Sequence, residues 1–327
     1  MKKIIKTLLI SSVIFTTASA HAAYIYERSF RSTGRSYIKL LSNIRTDNPD
    51  NLPSDQRRVC EDRYSGILKD NLIDIRIALG YFDWTTGNAV HDAGRSYGVS
   101  PSIDIGAFAA LRDLLKSSCY GRQRFCGFKT DRDNTYVFRK QVTIDGKKYP
   151  VRLEMHFSSA TEILGQNKGS QQQRSRTQYT ENFFLKGLQS ADAIFYFGHA
   201  RNGGGPDFAP PIFVRGTNKV DYNGYYMPNK PGFSKMLDAL RSGRDQAPII
   251  GLMSCNSRYK FLGGTRKAAP DSGVITSTNV LDVDIVYTAM IGAVDAILRG
   301  QCQKSFYQSL RMTAKNRAYI TMDGMFE

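Results

Sequence analysis

Two stretches of the chain are apolar runs that stop abruptly at a reactive side chain. Ala193-Ile194-Phe195-Tyr196-Phe197 runs into Gly198-His199, and Pro248-Ile249-Ile250-Gly251-Leu252-Met253 runs into Ser254-Cys255. Runs of this length bounded by turn residues suit strands covered on both faces, as in a parallel sheet. A His and a Cys at the carboxyl ends of two such strands would stand where open α/β sheets bind their ligands. The pair is sufficient for acyl transfer, because the imidazole can take the thiol proton and the thiolate can attack a carbonyl carbon.

The rest of the carboxyl-terminal half supports a sheet flanked by helices. Residues 135 to 158 carry the clearest β signal: two β-rich runs around Asp145-Gly146, a strong hairpin signature. Gly165 to Tyr179, which contains Gln171-Gln172-Gln173-Arg174-Ser175-Arg176, reads as a flexible loop leading to a helix around 178–189. Its Arg174-Ser175-Arg176 could serve as a processing site. After the His run come a loop rich in Gly and Pro, a helix at 232–242 and the Cys run. A strand at Gly273–Thr278 then precedes a helix carrying Val283, Val286, Met290, Val294 and Ile297, and an amphipathic segment surrounds Phe306 to Met312. Alternating strands and helices of this kind argue for a largely parallel sheet with helices on both faces.

The amino-terminal half reads differently. Residues 24–50 look polar and irregular. From Ser54, apolar residues recur at helical spacing (Cys60, Tyr64, Ile67, Leu68, Leu72, Ile75, Leu79) until Gly80 ends the pattern. Residues 83–100 read as loop, and Ser100-Pro101 opens a second helix with Phe108, Leu111 and Leu115 on one face. These readings predict a mostly helical region over 23–130.

The first residues have the form of a Gram-negative export signal: Lys2, Lys3 and Lys6, an apolar stretch from Leu8 to Thr17, and small residues near Ala20 and Ala22. Residues 1–22 are therefore expected to be a cleaved signal peptide. The mature chain is expected to be periplasmic or secreted and to have no membrane span. The formal charge of +16 falls to +13 once the three leader lysines are gone. Such a surface can attract anionic envelope components. No zinc-finger spacing, RNP-like strand or long basic run points to specific nucleic-acid binding. Five cysteines cannot all pair, and in an oxidising compartment four would be bridged. Cys119 and Cys126 could close a short loop and Cys60 could pair with Cys302, leaving Cys255 free, although four cysteines allow three connectivities.

The order strand–Gly-His, then strand–Ser-Cys, resembles that of the caspase-like cysteine peptidases (clan CD), over roughly residues 131–315. The resemblance implies a caspase-like α/β domain over 131–327, no metal or cofactor, and a polypeptide substrate. Residue by residue, it implies that His199 is the general base and Cys255 the nucleophile. It also implies that the backbone N–H groups of Cys255 and of the residue after His199 hold the oxyanion. In the family that residue is Gly, whereas here it is Ala200, which lacks Gly's freedom at positive φ. Ser158-Ser159 and Asp282, with Asp284, fall where relatives build substrate pockets. Relatives that cut after basic residues often carry an acid two positions before the Cys, where this chain has Met253.

Other residues weigh less. His199 opens the Gly-rich loop 198–207, in which Asp207 could orient the imidazole, line a pocket or cap the loop, and Arg201 could bind a substrate carboxylate. His156, between Met155 and Phe157, reads as a sheet residue, and His91 beside Asp92 has no evident partner. A zinc site of His199, Asp207 and Cys255 has the right ligand types but no close-spaced ligand pair. The expected function is an exported cysteine peptidase. The alternatives are an inactive caspase-like envelope binding protein and a Cys-His amidase or acyl transferase acting on cell-wall material.

Overall fold

The computed structural model describes residues 26–46, 51–82, 89–92, 95–99, 103–162, 164–217, 220–226 and 230–327. The expected signal peptide lies outside them. The strands, in chain order, are β1 (Ile73–Leu79), β2 (Ala89–Asp92), β3 (Arg95–Val99), β4 (Lys129–Thr130) and β5 (Val137–Ile144). They continue with β6 (Lys147–Phe157), β7 (Ala193–Phe197), β8 (Ile249–Met253), β9 (Gly273–Ser277) and β10 (Ile320–Asp323).

Eight strands form one sheet in the order β10-β9-β8-β7-β1-β6-β5-β4. The central five, from β9 to β6, are parallel, and the edges are antiparallel. The fold is thus α/β with a largely parallel sheet. Its centre follows the doubly wound order in which the chain leaves β1 to one side and returns to the other. The hairpin turns at Asp145 (φ 48°) and Gly146 (φ 77°), the paired left-handed residues of a type I′ turn.

Side chains alternate across the sheet into two apolar layers. Ile75, Ile77, Phe195, Phe197 and Ile249 pack under the helices at 26–41, Ile103–Lys116 and Val283–Leu298. Ala78, Ile194, Tyr196, Ile250 and Leu252 pack under the helices Gln171–Ser190 and Pro231–Ser242 on the other face. The helix Val283–Leu298 is buried on nearly every side, which explains its almost uniformly apolar sequence.

Several sequence readings are corrected. The helix from Ser54 ends at Ile67, and Ile73–Leu79 is the sheet's central strand, paired with both β6 and β7. The amino-terminal residues therefore share one core with the rest. Residues 26–41, read as irregular, are helical and bury Tyr26, Phe30, Tyr37, Ile38 and Leu41. The expected flexible loop around 171–176 is the start of a 20-residue helix, capped where Ser170 accepts from the Gln173 amide. Gln and Arg are good helix formers, and polarity alone does not make a loop. Within the stretch read as loop, β2 and β3 pair as a small antiparallel ribbon. The chain also ends in a short helix, Ala314–Tyr319, and β10, which the sequence reading left unassigned.

Of the three possible connectivities, the structure has Cys60–Cys302 and Cys119–Cys126, with Cys255 free. Two disulfides fit an oxidising compartment. Among the described residues, no helix is long and apolar enough to cross a membrane.

Candidate active site

β7 and β8 pair in register from Ala193–Ile249 to Phe197–Met253, and the Gly198 amide donates to the Met253 carbonyl at 3.2 Å. His199 and Cys255 each stand two residues beyond the last pair, at equivalent places on neighbouring parallel strands, whose axes lie about 4.8 Å apart. Both line one cavity of about 530 Å³, together with Ala200, Arg201, Asn256 and Leu281. The cavity opens at the carboxyl rim of the parallel strands, lined from the connections that leave β7, β8 and β9.

His199 is held from β1. Its ring lies 4.9 Å, centre to centre, from that of Phe82, and its Nε2 is 3.3 Å from the Phe82 carbonyl. A carbonyl only accepts, so this contact places the ring proton on Nε2 and the basic lone pair on Nδ1. Burial, with the nearby Arg201 charge, pushes the His199 pKa down to about 3, against a smaller opposing pull from the Phe82 carbonyl.

The loop after His199 is fixed from below by Tyr196. Its hydroxyl lies 2.8 Å from the His199 carbonyl and 3.2 Å from the Asp207 carbonyl, and it accepts from the Asp207 amide at 2.9 Å. Ala200 adopts φ −72°, ψ −13°, so the Ala found there is unstrained. The left-handed turn falls instead on Arg201 (φ 42°), Asn202 (φ 54°) and Gly203 (φ 102°). Gly204 is required for a different reason, since a Cβ there would come within 2.4 Å of the Tyr225 carbonyl.

Arg201 and Asp207 are a buried ion pair, Nε to Oδ2 2.7 Å, and Asp207 Oδ1 also accepts from the Ala209 amide. Asp207 therefore holds Arg201, and through it the loop.

Cys255 is half-buried, and its sulfur faces the backbone that follows β9. The thiol donates to the Leu281 carbonyl (3.7 Å), and the Leu281 amide donates to the sulfur (3.5 Å). An N–H aimed at sulfur stabilises negative charge there once the proton has gone. Asn256 turns the chain in the left-handed region (φ 51°), with its amide on the Asn279 carbonyl at 2.8 Å.

The remaining expected site residues lie elsewhere. Ser158 is fully buried: its amide donates to Asp104 Oδ2 and its hydroxyl to the Leu79 carbonyl. Asp282 is exposed, and its carboxylate accepts from Lys315 Nζ at 2.8 Å. His156 is a sheet residue between the rings of Tyr136 and Phe183, its Nε2 2.8 Å from Glu154. Burial pushes its pKa down, opposed by that carboxylate. The side chains of His91 and Asp92 lie outside the described residues. Among the described residues, no group of three or more His, Cys, Asp or Glu side chains could hold a metal ion.

Phe82, Tyr196 and Leu281 were missed as site residues. Once β1 is read as a strand, Phe82 falls three residues past its carboxyl end, beside His199. Leu281 likewise follows β9. Comparison of the chain with protein-family models, curated proteins and solved structures gives no match.

Proposed function

We propose that the protein is a caspase-like cysteine peptidase, in which Cys255 attacks a peptide carbonyl and His199 moves the proton. One observation carries the reading: the imidazole and the thiol occupy equivalent places on adjacent parallel strands and share one cavity. His199 takes the thiol proton as sulfur attacks, then protonates the leaving amine, and water releases the acyl group. The backbone amides of Cys255 and Ala200 receive the oxyanion.

The protonation state of His199 favours a concerted transfer. Burial, with the nearby Arg201 charge, pushes the His199 pKa down to about 3, so the imidazole is neutral at neutral pH and free to act as a base. In this reading the neutral imidazole accepts the thiol proton as the carbon–sulfur bond forms.

A second reading, a binding protein built on the same cleft, draws on the sulfur's bonds to the Leu281 backbone. Iodoacetamide labelling at neutral pH separates the two. A catalytic Cys255 labels fast, and His199→Ala slows it; equal labelling of both proteins counts against the enzyme. Cleavage profiling against peptides and cell-wall fragments then distinguishes a peptidase from an amidase.

A further inference from the structure

The walls of the cavity beside Cys255 are largely apolar (Val220, Tyr222, Val280 and Leu281), with Asn202, Asn256 and Lys260 as their polar part. Eight large apolar side chains are exposed among the described residues. Five of them lie on the connections leaving β7, β8 and β9: Ile212, Val214 and Tyr222, then Tyr259, then Val280. Tyr259 is 75% exposed and Val280 71%. Among the described residues of this connection, Phe213 bridges Val220 and the Asp221 amide donates to the Ile212 carbonyl at 2.8 Å. Tyr222 and Val280 line the cavity itself, and exposed apolar groups gathered on the connections at one rim of the sheet, rather than scattered singly, mark a binding surface.

The charges at the cavity narrow the choice further. No described lining residue is Asp or Glu, so a basic substrate side chain would be desolvated without a counter-charge. The buried Arg201 already faces Asp207.

Building on the proposed peptidase reading, we infer that the cleft takes an extended polypeptide segment whose side chain next to the scissile bond is apolar, of the Val, Leu or Phe class. The rim around Tyr222, Tyr259 and Val280 receives the neighbouring residues.

The test uses the mature protein and fluorogenic peptides that differ only at the residue before the scissile bond. Leu and Phe peptides should exceed Asp and Lys peptides at least about tenfold in kcat/KM, the usual scale for filling an apolar pocket. Val280→Asp should lower kcat/KM for the Leu peptide about tenfold, while iodoacetamide labelling of Cys255 shows the thiol intact. Binding of labelled, uncleaved peptides to Cys255→Ala gives a second readout. Preferential binding of apolar peptides with no cleavage by the wild type upholds the inference and sinks the peptidase reading. A preference for Asp peptides through Lys260, a preference for Lys peptides, or no peptide binding at all overturns the inference.

Discussion

Arg201 donates through Nε to Asp207 Oδ2 at 2.7 Å, and this buried pair closes the loop that carries His199. Asp207→Asn should destabilise the protein by about 3–5 kcal/mol, because it leaves an uncompensated guanidinium inside. Replacing both partners, as Arg201→Met with Asp207→Leu, should cost less than the sum of the single changes. Urea denaturation of the four proteins checks this, and strict additivity would mean the pair is uncoupled.

Tyr196 bridges the loop's two ends through one hydroxyl. Tyr196→Phe keeps the ring in its apolar layer but strands buried backbone groups, at about 1–3 kcal/mol. Because the His199 carbonyl is one of them, iodoacetamide labelling of Cys255 should also slow. A stability loss with unchanged labelling would show that the loop keeps His199 in place without this tether.

The low His199 pKa makes two pH predictions. Its neutral form is the base, so the acid limb of kcat/KM should lie near pH 3 to 4 rather than near the ordinary His value of about 6.5. For stability, the unfolded chain binds a proton on this residue below about pH 6.5, while the folded chain does so only below about pH 3. The His199 contribution is therefore complete above the unfolded value and is lost as pH falls towards the folded one. His156 acts with the same sign. Urea midpoints at pH 7 and pH 4 should fall less for His199→Phe than for the wild type; equal falls would contradict the assigned shift.

The His and Cys strands were legible because both are short, uniformly apolar and sharply bounded. β1 was not, although Ile73, Ile75, Ile77 and Leu79 alternate as a strand should. Leu72, Ile75 and Leu79 also fall at helical spacing, and Asp74 and Arg76 interrupt the apolar run. Those two charges are satisfied within the fold: Asp74 accepts from Arg76 and Arg152, and its amide donates to Asp192 Oδ2. A charge network hidden on one face masked the strand at the centre of the sheet, and Phe82 with it. The first turns of the 171–190 helix were missed for the opposite reason, since their polar residues read as loop.

Cys60 and Cys302 tie the helix Ser54–Ile67, just before β1, to the segment after the long buried helix Val283–Leu298, closing a span of 242 residues. The Cys119–Cys126 bridge spans only seven. If a bridge acts mainly by restricting the unfolded chain, the long loop should contribute more, with about 2–4 kcal/mol typical of such bonds. Cys60→Ser with Cys302→Ser should therefore lower the urea midpoint more than Cys119→Ser with Cys126→Ser. Both bridges lie away from the cavity that holds Cys255. Under native conditions, both double variants should keep the wild-type rate of Cys255 labelling. A larger loss from the short bridge would show that native contacts of the 119–126 loop, such as the Arg124 and Phe125 amides on the buried Asp295, outweigh chain entropy.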